Sequence, residues 1–314
     1  MTRFALTGAA GYVAPRHMKA IRDTGNELVA ALDPKDSVGI IDSYFPRAHF
    51  FTEFERFDRH IEKLRRGHEG VDYVSICSPN YLHDAHARFA LRSHAHAICE
   101  KPLVLNPWNI EALADMQRET GFSIYTILQL RLVPAVQALK ERVEAAPGRL
   151  YDVDLTYLTA RGRWYQASWK GDVQKSGGIA TNIGVHLFDI LGWVFGKVTS
   201  SKVHLHGAEV AAGAVEFERA RVRWFLSLDE RHLPPQVVAA GKRSYRSIRI
   251  GGEEIEFSEG FSDLHTRSYE DILRGCGFGL EEARPSVELV HQIRTAQPVG
   301  LAGDYHPMCR GAAS

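Results

Sequence analysis

Gly8-Ala9-Ala10-Gly11-Tyr12-Val13-Ala14 decides how the first half of this chain is read. It follows a short apolar run, Phe4–Leu6, and opens an amphipathic stretch, which is the strand, turn and helix order of a dinucleotide-binding unit. Gly8 permits a tight turn, Gly11 lets backbone approach a pyrophosphate, and Ala14 is small enough for helix-to-strand packing. Tyr12 and Val13 lie where the helix N-terminus faces the phosphates. A glycine-rich turn alone is a weak signal, and Asp33 strengthens it. Asp33 ends the next apolar run, Leu28–Leu32, 19 positions beyond Ala14. A carboxylate there binds the adenosine ribose hydroxyls and repels a 2′-phosphate, so NAD is expected rather than NADP.

Outward from this turn, short apolar runs alternate with amphipathic ones as far as Leu130, the pattern of βαβ units around a parallel sheet. Val71–Ile76, Ala95–Cys99 and Ser123–Leu128 read as further buried strands. Phe54, Phe57, Ile61 and Leu64 recur at helical spacing, Leu82–Leu91 less regularly so, and Asn106-Pro107 starts a helix that stops at Gly121. After Arg131 the texture changes. A helix over Pro134–Ala145 is followed by period-two segments at Leu150–Leu158, Lys202–His206, Ala214–Glu218, Val222–Leu228, Tyr245–Ile250 and Glu254–Phe257, with helices at Ile179–Val194 and Ser262–Gly275. The expected architecture is an α/β Rossmann domain over residues 1–130. An α+β domain over 131–314, with a large, mainly antiparallel sheet, follows it and ends in a frayed tail at Arg310–Ser314.

Composition narrows the function. The 38 basic residues balance 38 acidic ones, which argues against a nucleic-acid partner bound through its phosphates. The four cysteines lie far apart with no C-x-x-C pair, so neither a zinc knuckle nor a disulfide framework is expected and a reducing cytoplasm fits best. His83-x-x-His86 and His94-x-His96 lack further ligands at a convincing spacing, so no metal is expected. The most apolar stretch, Ile179–Phe195, is interrupted by Asn182, His186 and Asp189, and no membrane partner is expected.

Two loops fall at carboxyl ends of strands, where open parallel sheets bind ligands. Ser78-Pro79-Asn80, with His83, follows one; Glu100-Lys101-Pro102 follows another, and Lys101 there has the charge to hold a substrate hydroxyl or alkoxide. In the second half, Asn182, His186 and Asp189 at i, i+4 and i+7 share one face of an otherwise apolar helix. His186 suits proton acceptance near neutral pH; the bland alternative is a core histidine satisfied by Asp189. Upstream, Arg161, Arg163, Lys170 and Lys175 face one acid, Asp172, with Trp164, Tyr165 and Trp169 interleaved. Guanidinium groups there would meet phosphates or a carboxylate, and the aromatics would stack on sugar, base or nicotinamide.

The glycine turn at Gly8, Ser-Pro-Asn-x-x-His at Ser78, Glu-Lys-Pro at Glu100 and Gly-Gly-x-x-x-Asn-x-Gly-x-His at Gly177 together resemble the glucose–fructose oxidoreductase/inositol dehydrogenase family over essentially the whole chain. The resemblance implies a second-domain sheet used for substrate and oligomer contacts, and a catalytic pair at Lys101 and His186. The family's usual aspartate is Asn182 here, which throws more weight onto His186 or Lys101; which of them takes the proton stays open. Gln129, Arg131, Trp169 and Lys170 are further candidates for nicotinamide or substrate contacts. More narrowly, Gly-Ala-Ala-Gly-Tyr-Val-Ala-Pro-Arg-His from Gly8, Leu-Gln-Leu-Arg-Leu from Leu128, Arg-Gly-Arg-Trp-Tyr from Arg161, Ser-Trp-Lys-Gly-Asp from Ser168 and Leu-His-Thr-x-Ser-Tyr from Leu264 resemble that family's branch acting on UDP-N-acetylglucosaminuronic acid in bacterial surface-polysaccharide synthesis. This branch implies oxidation of the sugar 3-hydroxyl by NAD, a homotetramer, and reoxidation of retained NADH by 2-oxoglutarate in some members. The competing readings are an NAD-dependent dehydrogenase of another sugar or inositol, and an NAD-binding regulatory protein without turnover.

Overall fold

The structure, a computed structural model, describes residues 1–255 and 263–312. The chain divides into two units, each with its own six-stranded sheet. In residues 1–129 the elements are β1 (Arg3–Thr7), α1 (Ala14–Asp23), β2 (Glu27–Leu32), β3 (His49–Phe51), α2 (Phe54–Arg66), β4 (Tyr73–Ile76), α3 (His83–Arg92), β5 (His96–Cys99), α4 (Trp108–Thr120) and β6 (Ile124–Thr126). All six strands pair in parallel in the order β3-β2-β1-β4-β5-β6. The order reverses direction between β1 and β4, and the crevice outside the strand ends at such a switch point is where these sheets bind ligands. Phe4, Leu6, Met18, Ile21 and Ile98 are fully buried in the core that sets this spacing. Gly121 ends α4 in the left-handed conformation at φ 75°, the stop the sequence predicts. The one strand that patterning does not predict is β3, a three-residue edge strand too short to show a period.

The second unit runs through α5 (Pro134–Glu144), β7 (Tyr151–Thr159), α6 (Trp164–Ala167), α7 (Val173–Ser176), α8 (Val185–Phe195), β8 (Val198–His206), β9 (Val210–Phe217), β10 (Ala220–Ser227), α9 (Pro235–Ala239), β11 (Ser244–Ile250) and β12 (Glu253–Ile255). Its sheet order is β12-β11-β7-β10-β9-β8, antiparallel at every pairing except β7 with β10. The predicted strand Glu254–Phe257 lies partly outside the described residues. Phe188 of α8 meets Trp224 of β10 edge-to-face at 5.3 Å, both fully buried. Each such burial is worth about 1.5–3 kcal/mol. Gly184 permits the approach, because a Cβ there would stand 2.8 Å from Leu226 and 2.9 Å from Phe188. The stretch Val173–Phe195 is long and apolar enough by composition to cross a membrane, yet 78% of its apolar window is buried within the protein. It is the helix against which this unit's sheet packs.

The remaining elements are α10 (Leu264–Leu273), α11 (Leu280–Thr295) and α12 (Cys309–Ala312). They correct the expected single boundary at residue 130. Asp263–Arg284 belongs with the first unit, because the apolar face of α10 covers α1. Tyr269 and Ile272 are buried in the same core as Phe4 and Met18, and the Tyr269 ring stacks on Phe4 at 5.8 Å. The sequence reading also passes over α11, where Pro285 interrupts the helical spacing of the buried Leu280, Ala283, Val287 and Val290. The expected frayed tail is a helical turn as far as residue 312, anchored by the buried Cys309.

Candidate active site

The turn at Gly8 can be made only by glycine. Its φ is +83°, and a Cβ there would lie 2.4 Å from the Cys77 carbonyl carbon and 2.5 Å from the Ser78 nitrogen. The N–H groups of Gly8 and Ala9 donate to the Leu32 carbonyl at 2.8 and 3.1 Å, tying the turn to the end of β2. Gly11 donates back to Gly8, and Val13 stands at the N-terminal end of α1 with no side-chain capping bond. Asp33 closes the arrangement: Ala10 N–H donates to its Oδ2 at 3.0 Å and Lys35 N–H to its Oδ1 at 2.9 Å. Each carboxylate oxygen keeps acceptor capacity for a ribose hydroxyl. Tyr12 stands in solvent above the turn, 88% exposed. At the end of the unit, Gln129 is buried and its Oε1 has no hydrogen-bond partner among the described residues, an acceptor that calls for an amide or hydroxyl donor from a ligand. The tight glycine turn, the fixed carboxylate and this orphaned acceptor all fit a bound dinucleotide.

The two loops beyond β4 and β5 are pinned together. His83 places Nε2 2.8 Å from the Ser78 carbonyl and Nδ1 2.7 Å from the Pro102 carbonyl. Burial pulls its pKa down against the pull of these two carbonyls, each placed to accept an N–H from the ring. His83, expected among the cofactor contacts, thus spends both nitrogens on main chain and acts as a clamp between loops. His86 meets Thr7 and Ser78 side chains through Nδ1, and burial pushes its pKa down to about 4. Asn80 is buried in the same loop, and Lys101 is half-buried, with a cis peptide bond to Pro102.

Beneath Lys101 lies a cluster that sequence reading missed. Glu100, expected to face the cofactor, turns its carboxylate inward: Oε1 accepts from His17 Nε2 and His265 Nε2, both at 3.0 Å, and Oε2 accepts from Lys101 N–H at 3.2 Å. His17 Nδ1 is 2.8 Å from the Tyr269 hydroxyl, which is 2.6 Å from Ser75 Oγ. Burial opposes a charge on Glu100, but the two histidines outweigh it and hold its carboxyl well below the usual range. His17 is kept neutral by burial. His17 reads in the sequence as a histidine on the apolar face of α1, as often a satisfied core residue, and the motif at Leu264 that carries His265 and Tyr269 gives no sign of lying beside it. His17, Glu100 and His265 also form a set that metal ions use, and here they bond to one another.

In the second unit the predicted polar stripe is distributed differently. Ala180–Gly184 forms a π-helical turn before α8, so Asn182 does not follow α-helical spacing to His186. Such turns recur at functional sites because they re-aim side chains. Asn182 Nδ2 donates to the Tyr165 hydroxyl at 2.6 Å, both residues buried. Asp189, the expected partner of a bland core histidine, is instead held by Arg131, Nε at 2.9 Å and Nη2 at 2.6 Å. Burial pushes the Asp189 carboxyl up while Arg131 pulls it down. Arg131, expected among substrate contacts, is therefore committed to an internal ion pair, because a buried carboxylate on an apolar helix needs a cation. His186 is half-buried. Arg161, Gly162, Arg163, Tyr165, Gln166, Glu209 and Leu228 line a cleft of about 190 Å³. Nearby, the Lys170 ammonium lies 4.3 Å from the Trp169 ring centre.

Two domain models account for most of this architecture. Residues 2–126 match an oxidoreductase family with an NAD-binding Rossmann fold, and residues 148–236 match the C-terminal α/β domain of that oxidoreductase family. The chain belongs to this family and is an NAD-dependent oxidoreductase. Within it, the chain is 53% identical, at a TM-score of 0.95, to the WlbA (WbpB) dehydrogenase from Thermus thermophilus solved with NAD and alpha-ketoglutarate, covering 98% of this chain and 100% of that one. The same dehydrogenase has been solved with NAD and UDP-GlcNAcA, at 52% identity, TM-score 0.95 and the same coverage. The WlbA dehydrogenase from Bordetella pertussis, 21% identical with a TM-score of 0.77 over 96% of this chain and 98% of that one, shares the fold. Among curated proteins, D-glucoside 3-dehydrogenase of Escherichia coli (strain K12) is 30% identical over 138 residues, 43% of this chain; the chain spans only 39% of that relative's length.

Proposed function

We propose that this protein oxidises the 3-hydroxyl of UDP-N-acetylglucosaminuronic acid to the 3-keto sugar nucleotide, a step in making sugars for lipopolysaccharide or O-antigen. The observation that carries the reading is the 53% identity over 98% of the chain to a dehydrogenase solved with NAD and alpha-ketoglutarate, and the 52% identity to it with UDP-GlcNAcA. The cleft at Arg161, Arg163 and Tyr165 supports it, since a pyrophosphate and a uronate carboxylate are the groups guanidinium forks hold best.

NAD, when bound, supplies the hydride acceptor. Gly8, Gly11, Tyr12, Val13 and Asp33 hold its adenosine and pyrophosphate portions, with Ser78, Asn80, Gln129, Trp169 and Lys170 toward the nicotinamide. His186 accepts the proton of the sugar hydroxyl, and Lys101 orients that hydroxyl and stabilises the developing alkoxide by charge and hydrogen bonding. Asn182 holds Tyr165 in place at the sugar. We place the protein in the cytoplasm as a homotetramer, with 2-oxoglutarate reoxidising the retained cofactor.

Incubation with UDP-N-acetylglucosaminuronic acid, NAD and 2-oxoglutarate, followed by mass spectrometry, tests the reading. A sugar nucleotide lighter by two hydrogens, formed together with 2-hydroxyglutarate, is expected. Turnover of free glucosides or inositol with the nucleotide sugar left untouched would replace it with the other-sugar reading.

A further inference from the structure

α10 returns to the first unit after a long excursion through the second, and the residues it delivers are polar as well as apolar. His265 is 5% exposed and Tyr269 fully buried, and both are spent on a single chain of hydrogen bonds with His17, Ser75 and Glu100. Sequestering five polar side chains is costly unless each is bonded. Here one consistent set of donors and acceptors closes around the Glu100 carboxylate. Ser75 donates to the Tyr269 oxygen, Tyr269 donates to His17 Nδ1, and His17 Nε2–H and His265 Nε2–H both donate to Glu100 Oε1. The second carboxylate oxygen is left for one task, accepting the N–H of Lys101.

We propose that the His17–Glu100–His265 cluster, closed by Tyr269, is a positioning device for Lys101: it fixes the peptide that carries the lysine and places a buried carboxylate behind it. This rests on the reading of Lys101 as a catalytic residue. Two constraints then converge on the Glu100–Pro102 loop, the carboxylate from below and the His83 clamp on the Pro102 carbonyl. Such fixing matters because a misplacement of about 1 Å costs a reaction about 10²-fold. Besides Lys101, the titratable groups around Glu100 are His17 on α1, Cys77 after β4, His83 on α3, Cys99 on β5, and His265 and Tyr269 on α10. Burial keeps Cys77, Cys99 and Tyr269 protonated. None of these supplies a second anion.

The test uses the full chain and two readouts. Competitive acetylation across a pH series, read by peptide mass spectrometry, gives the titration midpoint of the Lys101 amine without any need for turnover. Glu100→Gln removes the carboxylate that holds the Lys101 peptide and is expected to lower that midpoint. In steady-state kinetics with the nucleotide sugar, Glu100→Gln and His265→Leu are expected to lower kcat about 10²-fold with KM changed less than about 3-fold. His265→Gln, which keeps a donor, is expected to recover most of that loss and serves if Glu100→Gln does not fold. In a Lys101→Ala background the same substitutions are expected to add nothing further. An unchanged Lys101 midpoint in Glu100→Gln, or losses that multiply fully onto Lys101→Ala, would overturn the proposal. Normal turnover by Lys101→Ala would instead overturn the catalytic reading, and the labelling would still decide the positioning.

Discussion

Behind Lys101, the residues His17, Glu100, His265 and Tyr269 are each 6% exposed or less, whereas Arg161 and Arg163 reach into solvent at the rim of their cleft. The first region is fixed by a bonded network whose parts come from residues as distant as 17 and 269. The second is a short basic stretch bonded to the π-helical turn before α8 from Tyr165 to Asn182. The contrast separates two physical tasks. Holding a reactive amine in place rewards burial and complete hydrogen bonding, and gathering a polyanion rewards exposed charge that can adapt.

The sharpest way to break the contrast is at the proposed catalytic pair. Lys101→Ala and His186→Asn are expected to cut kcat by about 10³-fold or more, with NAD affinity by fluorescence titration changed less than about 3-fold. Equal loss of cofactor binding would make these residues part of the binding scaffold. Next in size is the ion pair of the second unit. Arg131→Met strands the buried Asp189 carboxylate and is expected to cost about 3–5 kcal/mol in urea unfolding, while Arg131→Met with Asp189→Leu recovers most of it. If the single change were silent, Arg131 would be released for the substrate role first expected of it.

Acid sensitivity compares the units directly, since each holds a histidine that burial depresses to about 4. Burial depresses His86 and His306 to about 4, so both rings are neutral in the fold and take up a proton on unfolding. Stability is then intact above pH about 6.5 and falls as pH drops toward about 4, by about 3 kcal/mol for each residue. Urea titrations at stepped pH should show this slope, flattened in His86→Gln and in His306→Gln; a slope untouched by both would place the acid sensitivity elsewhere. The smallest effect falls on the exposed loop. Arg161→Ala with Arg163→Ala is expected to raise KM for the nucleotide sugar about 10- to 100-fold with kcat nearly unchanged, as removal of uniform binding does. An equal effect on a neutral sugar would count against recognition of a polyanion.

Much of the first unit was legible because its signals are local. A glycine that only φ +83° and a 2.4 Å clearance can explain, an acid at the end of β2, and loops at strand ends are all readable within a few residues. What stayed hidden depends on contacts made across the chain. Nothing around Leu264-His265-Thr266 announces that α10 covers α1, so both the discontinuous unit and the histidine cluster were out of reach. Likewise His83 and Arg131 carry polar groups of the right chemistry for ligand contacts, and only geometry shows them spent on carbonyl oxygens and on Asp189. The π-turn at Ala180–Gly184 misled the helical spacing for the same reason, because period arguments assume an unbroken α-helix.

The central claim is removal of hydrogen from one carbon of a nucleotide sugar, and isotope transfer tests it most directly. UDP-N-acetylglucosaminuronic acid carrying deuterium at C3 should be incubated with the protein, NAD and 2-oxoglutarate. The account predicts a 3-keto product without deuterium and 2-hydroxyglutarate with one. Deuterium retained on the sugar, with or without oxidation at another carbon, would contradict it.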